Sequence, residues 1–356
     1  MPVRVIHLKR TPRRIAIIKP SALGDIAHSL PVLTALRHRF PVSHISWIVN
    51  RGYAPILERH PDLNEIIAFD RGALRKSLLT GTWSFARFLK EVRSRRFDMV
   101  IDLQGLFRTG LMTLASGASM RIGLASAREG AMFCYSHRVE DRTGVTHAVD
   151  RYWRVIEALG DAPPVKTFHV PIQPDARNWA CDLLQKHARP WLAIGVGSRW
   201  LTKRWPPAHF AALVQRALAQ YGGTAIFIGT PEEADLARQS AALVPGPTCQ
   251  LTGATTLPQL VAILAEADVM IANDTGPLHL AVALGRPVVA PYTCTRVERT
   301  GPYGQMDRGI ETSVWCKGSY LKACPRMECM AELTPDRLWP ALEMILRTWQ
   351  TQQHAA

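Results

Sequence analysis

Arg14-Ile-Ala-Ile-Ile-Lys-Pro-Ser-Ala-Leu-Gly-Asp25, continuing to His28-Ser-Leu-Pro31, reads as a strand, a loop and the start of a helix. Ile15 to Ile18 is a short β-branched run of buried-strand type, and from Ala27 to Phe40 apolar residues recur at helical spacing. In the loop, Gly24 permits a tight turn, and Asp25 falls at or near the helix start, where the helix dipole stabilises an ionised carboxylate. A plain helix cap is the other role open to Asp25. The loop is not Gly-x-Gly-x-x-Gly, so it carries no dinucleotide fingerprint.

Working outward, the same alternation recurs. His44 to Val49, Glu65 to Phe69 and Met99 to Leu103 read as strands, while Gly52 to His60 and Lys76 to Arg96 have helical periodicity. Strand–helix alternation marks βαβ units and a parallel sheet. The pattern breaks at Asp161 to Asp175, where DAPPVKTFHVPIQPD holds four prolines and no clear period, as expected of a linker. It then restarts. Leu192 to Val196, Thr224 to Ile228, Asp268 to Ala272 and Pro287 to Ala290 read as strands. Ala208 to Tyr221, Pro231 to Val244, Leu257 to Ala267 and Pro277 to Leu284 read as helices, followed by a terminal amphipathic helix from Thr334 to Trp349. Two such halves imply an α/β protein of two Rossmann-like lobes facing a central cleft. The expected division is 1–172, 173–335 and a C-terminal helix, 336–356, packing back towards the first lobe. In open parallel sheets ligands lie beyond the carboxyl ends of the strands, so the loops there are where chemistry is sought.

Composition bounds the function. With 47% hydrophobic and 20% charged residues, the 356-residue chain is neither globally disordered nor low in complexity. It has no run of apolar residues long enough for a membrane span. The basic start, MPVRVIHLKRTPRR, lacks the apolar core of a secretory signal, so a cytoplasmic protein is expected. Lys and Arg outnumber Asp and Glu 43 to 29, a net +14 that favours anionic partners. No basic module interleaved with aromatics is present, so nucleic acid is not the expected one. Seven cysteines do not suggest a disulfide scaffold, and the spacing of Cys316, Cys324 and Cys329 fits no standard zinc pattern.

Three loops in the second half complete the candidate chemistry. Gly195-Val-Gly-Ser-Arg199 followed by Lys203-Arg-Trp-Pro206 places small residues, the Ser198 hydroxyl and the Lys203 charge after a strand, a plausible diphosphate cradle. A solvated basic loop is the competing reading. Asn273-Asp-Thr-Gly-Pro-Leu-His279 leads a strand into a helix whose first N–H groups can bind an anion, with His279 one turn in. Gly229-Thr-Pro-Glu-Glu233 offers a carboxylate for ribose hydroxyls, or ordinary acidic enrichment of a first helical turn.

Taken together, Lys19-Pro-Ser-Ala-Leu-Gly-Asp25 with His28-Ser-Leu-Pro31, Asp102-Leu-Gln-Gly105, Ala127-Arg-Glu129, His147-Ala-Val-Asp150, Lys203-Arg-Trp-Pro206, Asn273-Asp-Thr-Gly276 with His279, and the Cys324-Pro and Cys329-Met pairs follow one order. This set resembles the ADP-heptose:lipopolysaccharide heptosyltransferases of glycosyltransferase family 9, over about residues 14 to 345, and is nearer the type that adds the first heptose.

The resemblance implies a GT-B fold and inverting, metal-independent transfer from ADP-heptose, without a cofactor, to an anionic, lipid-anchored inner-core acceptor of the Kdo-lipid A type. It implies Asp25 as general base and Lys203 as phosphate-binding cation, with Ser198, Asp274, Thr275, Gly276 and His279 around the nucleotide. Glu233, with Glu232 as the alternative, is implied at the ribose, and Thr255 or Thr256 at the nucleoside pocket. Arg51, Arg108, Arg121 and Arg128 are the candidates for holding the acceptor, since Arg matches carboxylate and phosphate geometry. Peripheral attachment to the anionic inner membrane face through Arg10, Arg13 and Arg14 is a further expectation. Two departures stand out: Gly197-Ser198-Arg199 replaces the family's hydroxyl pair with one extra residue before Lys203, and Asn50-Arg51 stands where an acid often follows the second strand. A transferase using another nucleotide sugar and a non-catalytic glycan-binding relative are the alternatives.

Overall fold

The computed structural model describes residues 4–70, 78–141 and 146–355. The chain divides into two compact units, Met1–Pro171 and Ile172–Ala356. The amino-terminal residues of the helix expected from Lys76 lie outside the described residues.

The first unit is built from β1 (Arg14–Ile18), α1 (Leu23–Arg39), β2 (His44–Asn50), β3 (Glu65–Phe69), α2 (Leu78–Ser94), β4 (Met99–Asp102), α3 (Phe107–Ala115), β5 (Met120–Leu124), β6 (His137–Val139) and α4 (Ala148–Leu159). Its six strands form one sheet in the order β3-β2-β1-β4-β5-β6, and every neighbouring pair is parallel. Ile15 to Ile18 are fully buried, which explains why the strand is a continuous apolar run: a parallel sheet is covered on both faces. α1 starts with Asp25 in its first turn and ends with Arg37, His38 and Arg39, charges that complement the helix dipole at both ends.

The second unit repeats the plan with α5 (Pro174–Leu184), β7 (Trp191–Gly195), α6 (Pro207–Tyr221), β8 (Thr224–Phe227), α7 (Ala234–Ala242), β9 (Thr248–Gln250), α8 (Leu257–Glu266), β10 (Val269–Ala272), α9 (Gly276–Ala283), β11 (Val288–Tyr292), α10 (Val297–Thr300), β12 (Gly309–Glu311), α11 (Glu328–Glu332) and α12 (Pro335–Ala355). The strand order is β12-β11-β10-β7-β8-β9, again all parallel. Leu338, Trp339, Leu342, Ile345 and Leu346 of α12 join the same buried core as Trp205, Phe210 and Val214. These α12 side chains thus pack within the core of the second unit.

Two readings of the sequence are corrected. Gly52 to His60 is not a helix but a short 3-10 turn, Arg51–Ile56, opened by the Asn50 side chain accepting from the Gly52 N–H and holding Pro55 within it. The expected linker, Asp161 to Asp175, gives its last residues to α5, which begins at Pro174.

In each sheet the chain crosses from one side to the other beside the first strand. β1 lies between β2 and β4, and β7 between β10 and β8. Each such switch leaves a crevice at the carboxyl ends of the two strands. The candidate loops after β1, β4, β7 and β10 all open there.

Candidate functional site

In the first unit the loop after β1 brings together Lys19, Asp25 and, from α4, Tyr152. Asp25 occupies the third position of α1, and its Oδ2 accepts from the Ala22 N–H at 3.2 Å. Its Oδ1 accepts from the Tyr152 hydroxyl at 3.0 Å. The Lys19 ammonium donates to Tyr152 Oη at 2.7 Å and to the Leu103 carbonyl at 3.1 Å. The Asp25 side chain keeps 40% of its exposure while Lys19 keeps 2%. A carboxylate held at two points yet open to solvent can accept a proton from a bound hydroxyl group.

Behind it, at the end of β4, Asp102 is fully buried. It accepts from the Gln104 and Gly105 N–H groups at 2.9 and 3.0 Å and from the Tyr135 hydroxyl at 2.8 Å. Burial pushes its carboxyl up, against these hydrogen bonds. Asp102 thus ties the β4 turn together. Gly105 sits at φ +66° with Ala127 3.2 Å from where a Cβ would stand, so this turn admits glycine alone without strain.

The four arginines separate. Arg51 opens the turn after β2, Arg108 lies in the first turn of α3, and Arg128 lies in the turn after β5. All three are exposed beyond carboxyl ends of strands. Arg121 is within β5, and its guanidinium donates to the Ala118 and Cys134 carbonyls at 2.8 and 2.9 Å, so it is spent on the fold. Arg10 pairs with Asp98 at 3.2 Å, whose carboxylate also accepts from the Arg13 and Arg14 N–H groups. That basic cluster sits at the amino end of β1, away from the Asp25 end.

In the second unit the centre is Asp274, in the turn between β10 and α9 and buried. Its Oδ2 takes the Lys203 ammonium at 2.6 Å and the Thr295 hydroxyl at 2.8 Å, and its Oδ1 takes His279 Nε2 at 3.1 Å. Burial alone would push this carboxyl up; the hydrogen bond from His279 and the charge of Lys203 outweigh it and hold the group well below the usual carboxylate range. Asp274 therefore stays ionised and spends its lone pairs holding cationic and hydroxyl donors in place. Lys203, 4.8 Å from the Trp200 ring centroid, is pinned as a point charge beside the start of α9. Thr275 is the extended N-cap residue of α9 and Gly276 begins the helix, so the first N–H groups there have no partner within the helix. A pinned cation beside such amides suits a diphosphate.

Asn273 locks the two loops together. Its side-chain amide donates to the Val196 carbonyl at 2.8 Å, and its oxygen accepts from the Trp205 N–H at 3.1 Å. Ser198 is buried, its carbonyl accepting from Arg204 Nε at 2.6 Å. Glu233 turns towards the β7 and β8 loops. A Cβ on Gly197 would stand 2.0 Å from its Cδ, and one on Gly229 2.7 Å from its Oε2. Glu232 is exposed. Thr255 is half-buried beside Thr256, whose hydroxyl caps α8 by accepting from the Gln259 N–H. An apolar cavity of about 600 Å³, lined by Val196, Leu201, Arg204, Trp205, Leu236 and Met327 among others, lies by the same loop but includes neither Ser198, Lys203, Glu233, Thr255 nor Asp274.

All seven cysteines are free thiols, and Cys329 packs in the core of the second unit. Among the described residues no group of three or more His, Cys, Asp or Glu side chains converges as metal ligands.

The sequence reading missed Tyr152, Thr295 and the burial of Lys19. Tyr152 lies 127 residues from Asp25 in the chain, so only the packing of α4 on α1 reveals it. A lysine immediately after the apolar run Ile15 to Ile18 was the available signal for Lys19.

Known proteins share this layout. The chain is 28% identical to lipopolysaccharide heptosyltransferase 1 of Pseudomonas aeruginosa, covering 95% of this chain and 99% of the relative. It is 26% identical to the lipopolysaccharide core heptosyltransferase OpsX of Haemophilus influenzae over 84% of each. Among solved structures, a family 9 glycosyltransferase from Veillonella parvula superposes with a TM-score of 0.82 at 22% identity, covering 97% of this chain and 100% of the other. The E. coli heptosyltransferase WaaC with ADP gives 0.73 at 24% identity, covering 93% and 99%. These superpositions identify the two α/β units as a GT-B fold. Residues 85–330 match the sequence family described as glycosyltransferase family 9 (heptosyltransferase), and the chain belongs to that family of glycosyltransferases.

Proposed function

We propose that this enzyme transfers a heptose from ADP-heptose to the inner core of lipopolysaccharide, on a Kdo-lipid A type acceptor, with inversion and without a metal ion. The observation that carries the reading is the Lys203–Asp274–His279 cluster at the start of α9. It presents a fixed cation and helix-terminal amides where a departing diphosphate would otherwise need a divalent ion. In support, relatives at 26–28% identity are named as lipopolysaccharide heptosyltransferases, and one structure of similar fold is a WaaC complex with ADP-2-deoxy-2-fluoro heptose.

In the reaction, Asp25 accepts the proton of the attacking acceptor hydroxyl. The new glycosidic bond forms as the sugar–phosphate bond breaks, and the electron pair leaves on ADP. Lys203 and the amides of Thr275 and Gly276 stabilise that charge. Asp274 and His279 hold Lys203 and the turn in place, Ser198 lies at the phosphate loop, Glu233 takes the ribose hydroxyls and Thr255 lines the nucleoside pocket. Arg51, Arg108 and Arg128 hold the acidic sugars and phosphates of the acceptor. Because the acceptor is lipid-anchored, the enzyme works peripherally at the cytoplasmic membrane face. Among the described residues no helix is long and apolar enough to cross a membrane.

Mass spectrometry of a Kdo-lipid acceptor incubated with ADP-heptose and excess chelator tests this. One added heptose is expected. No transfer from ADP-heptose, with transfer from another nucleotide sugar, would replace the donor assignment; donor binding without any transfer would favour a glycan-binding role.

A further inference from the structure

Lys19 follows a strand whose four preceding residues are fully buried, and it is itself nearly inaccessible. A buried ammonium is costly unless its donors are met and its charge is balanced. Here it donates to the Leu103 carbonyl and to Tyr152 Oη, with Asp25 Oδ1 3.8 Å away. An ammonium cannot accept a hydrogen bond, so Tyr152 Oη must accept from it and pass its own proton onward, to Asp25 Oδ1. The chain Lys19 to Tyr152 to Asp25 therefore has one direction, and each bond in it polarises the next.

Burial acts on the two buried members in ways that Asp25 modifies differently. Burial pushes the Lys19 ammonium down, countered by Asp25 and Asp102, while burial and the Asp25 charge push the Tyr152 phenol well up. The tyrosine stays a neutral bridge. The carboxylate at the end of the chain is its solvent-facing member.

From this geometry we infer that Lys19 and Tyr152 are positioning residues for Asp25, fixing the orientation of its carboxylate and keeping it ionised until the acceptor hydroxyl delivers its proton. The inference rests on the general-base reading of Asp25. It adds a reset step: once Asp25 is protonated, the buried ammonium has lost a counter-charge, so release of that proton to solvent is favoured and the base is restored.

Other ionisable groups surround the chain. His28 lies one turn further along α1, Asp102 ends β4, and α4 contributes Arg151 beside Tyr152, with Arg151 paired to Asp141 at 3.2 Å. His147 caps α4 and meets His28 edge to face, ring centroids 5.2 Å apart. A His28→Gln control therefore distinguishes an imidazole limb of the pH profile from a carboxylate limb.

The test compares kcat and kcat/KM against pH for the wild-type enzyme, Tyr152→Phe and Lys19→Gln, with melting curves to establish folding. Tyr152→Phe keeps the ring and its packing. It is expected to lower kcat roughly 10–100-fold, the worth of one hydrogen bond to a charged group, to leave the donor KM within about 2-fold as an unbroken nucleotide site requires, and to move the acid limb towards neutral pH. Lys19→Gln retains an amide donor without the charge and moves the limb in the same direction. A folded Tyr152→Phe enzyme with wild-type kcat and acid limb overturns the inference. Asp25→Asn separates the two levels. If it retains full turnover, the general-base reading fails and takes this inference with it. If it is inactive while both other profiles match wild type, only the positioning role is lost.

Discussion

Truncating Asp274 to alanine is expected to destabilise the second unit by about 3–5 kcal/mol, the cost of breaking a buried ion pair by removing one partner. Asp274 is 5% exposed, and its loss takes from Lys203, His279 and the Thr295 hydroxyl the carboxylate they share. For a unit of this size that is roughly a 6–20 °C drop in melting temperature. Where the variant remains folded, turnover should fall further than donor binding, because Lys203 would no longer stand where the proposed mechanism has the leaving diphosphate gather charge. Denaturant unfolding read alongside kcat checks this. A loss below about 1 kcal/mol, the range of an exposed pair, would mean that the cluster is not the buried keystone described here.

The second large effect falls on Asp25. Asp25→Asn keeps the shape of the side chain and removes the charge that, in the proposed mechanism, takes up a proton. A general base contributes about 10²–10⁴-fold to the rate, so kcat should drop by that factor. The side chain is 40% exposed, so the melting temperature should fall less than for Asp274→Ala, the remaining cost being the counter-charge taken from the buried Lys19 ammonium. The contrast between the two variants is informative: in the proposed mechanism one carboxylate is structural and electrostatic, the other chemical. Steady-state kinetics with saturating donor, and a melting curve beside them, distinguish the two.

Much of this was legible in the chain. The strand runs at Ile15 to Ile18 and Val269 to Ala272 are apolar throughout because parallel strands are covered on both sides, and that pattern needs no partner to be read. Loops at the carboxyl ends of β1, β7 and β10 could be singled out for the same reason. Short elements were harder. β6, β9 and β12 have three residues each, too few for a period, and the segment after Asn50 mimics helical spacing but forms only the six-residue 3-10 helix Arg51–Ile56, which contains Pro55. Long-range partners were invisible in principle: Tyr152 reaches Asp25 from α4, and Thr295 reaches Asp274 from beyond β11. Arg121 shows the converse, since an arginine in a plausible window turned out to bind backbone carbonyls within its own unit.

The most direct measurement is the configuration of the newly made glycosidic bond, read by NMR on product formed from anomerically pure ADP-heptose. A single displacement, with Asp25 taking the acceptor proton while Lys203 and the α9 amides receive the leaving ADP, predicts an anomeric centre opposite to that of the donor. A product with the donor's configuration would require a second displacement or a front-side route, and would contradict the roles given to both residues.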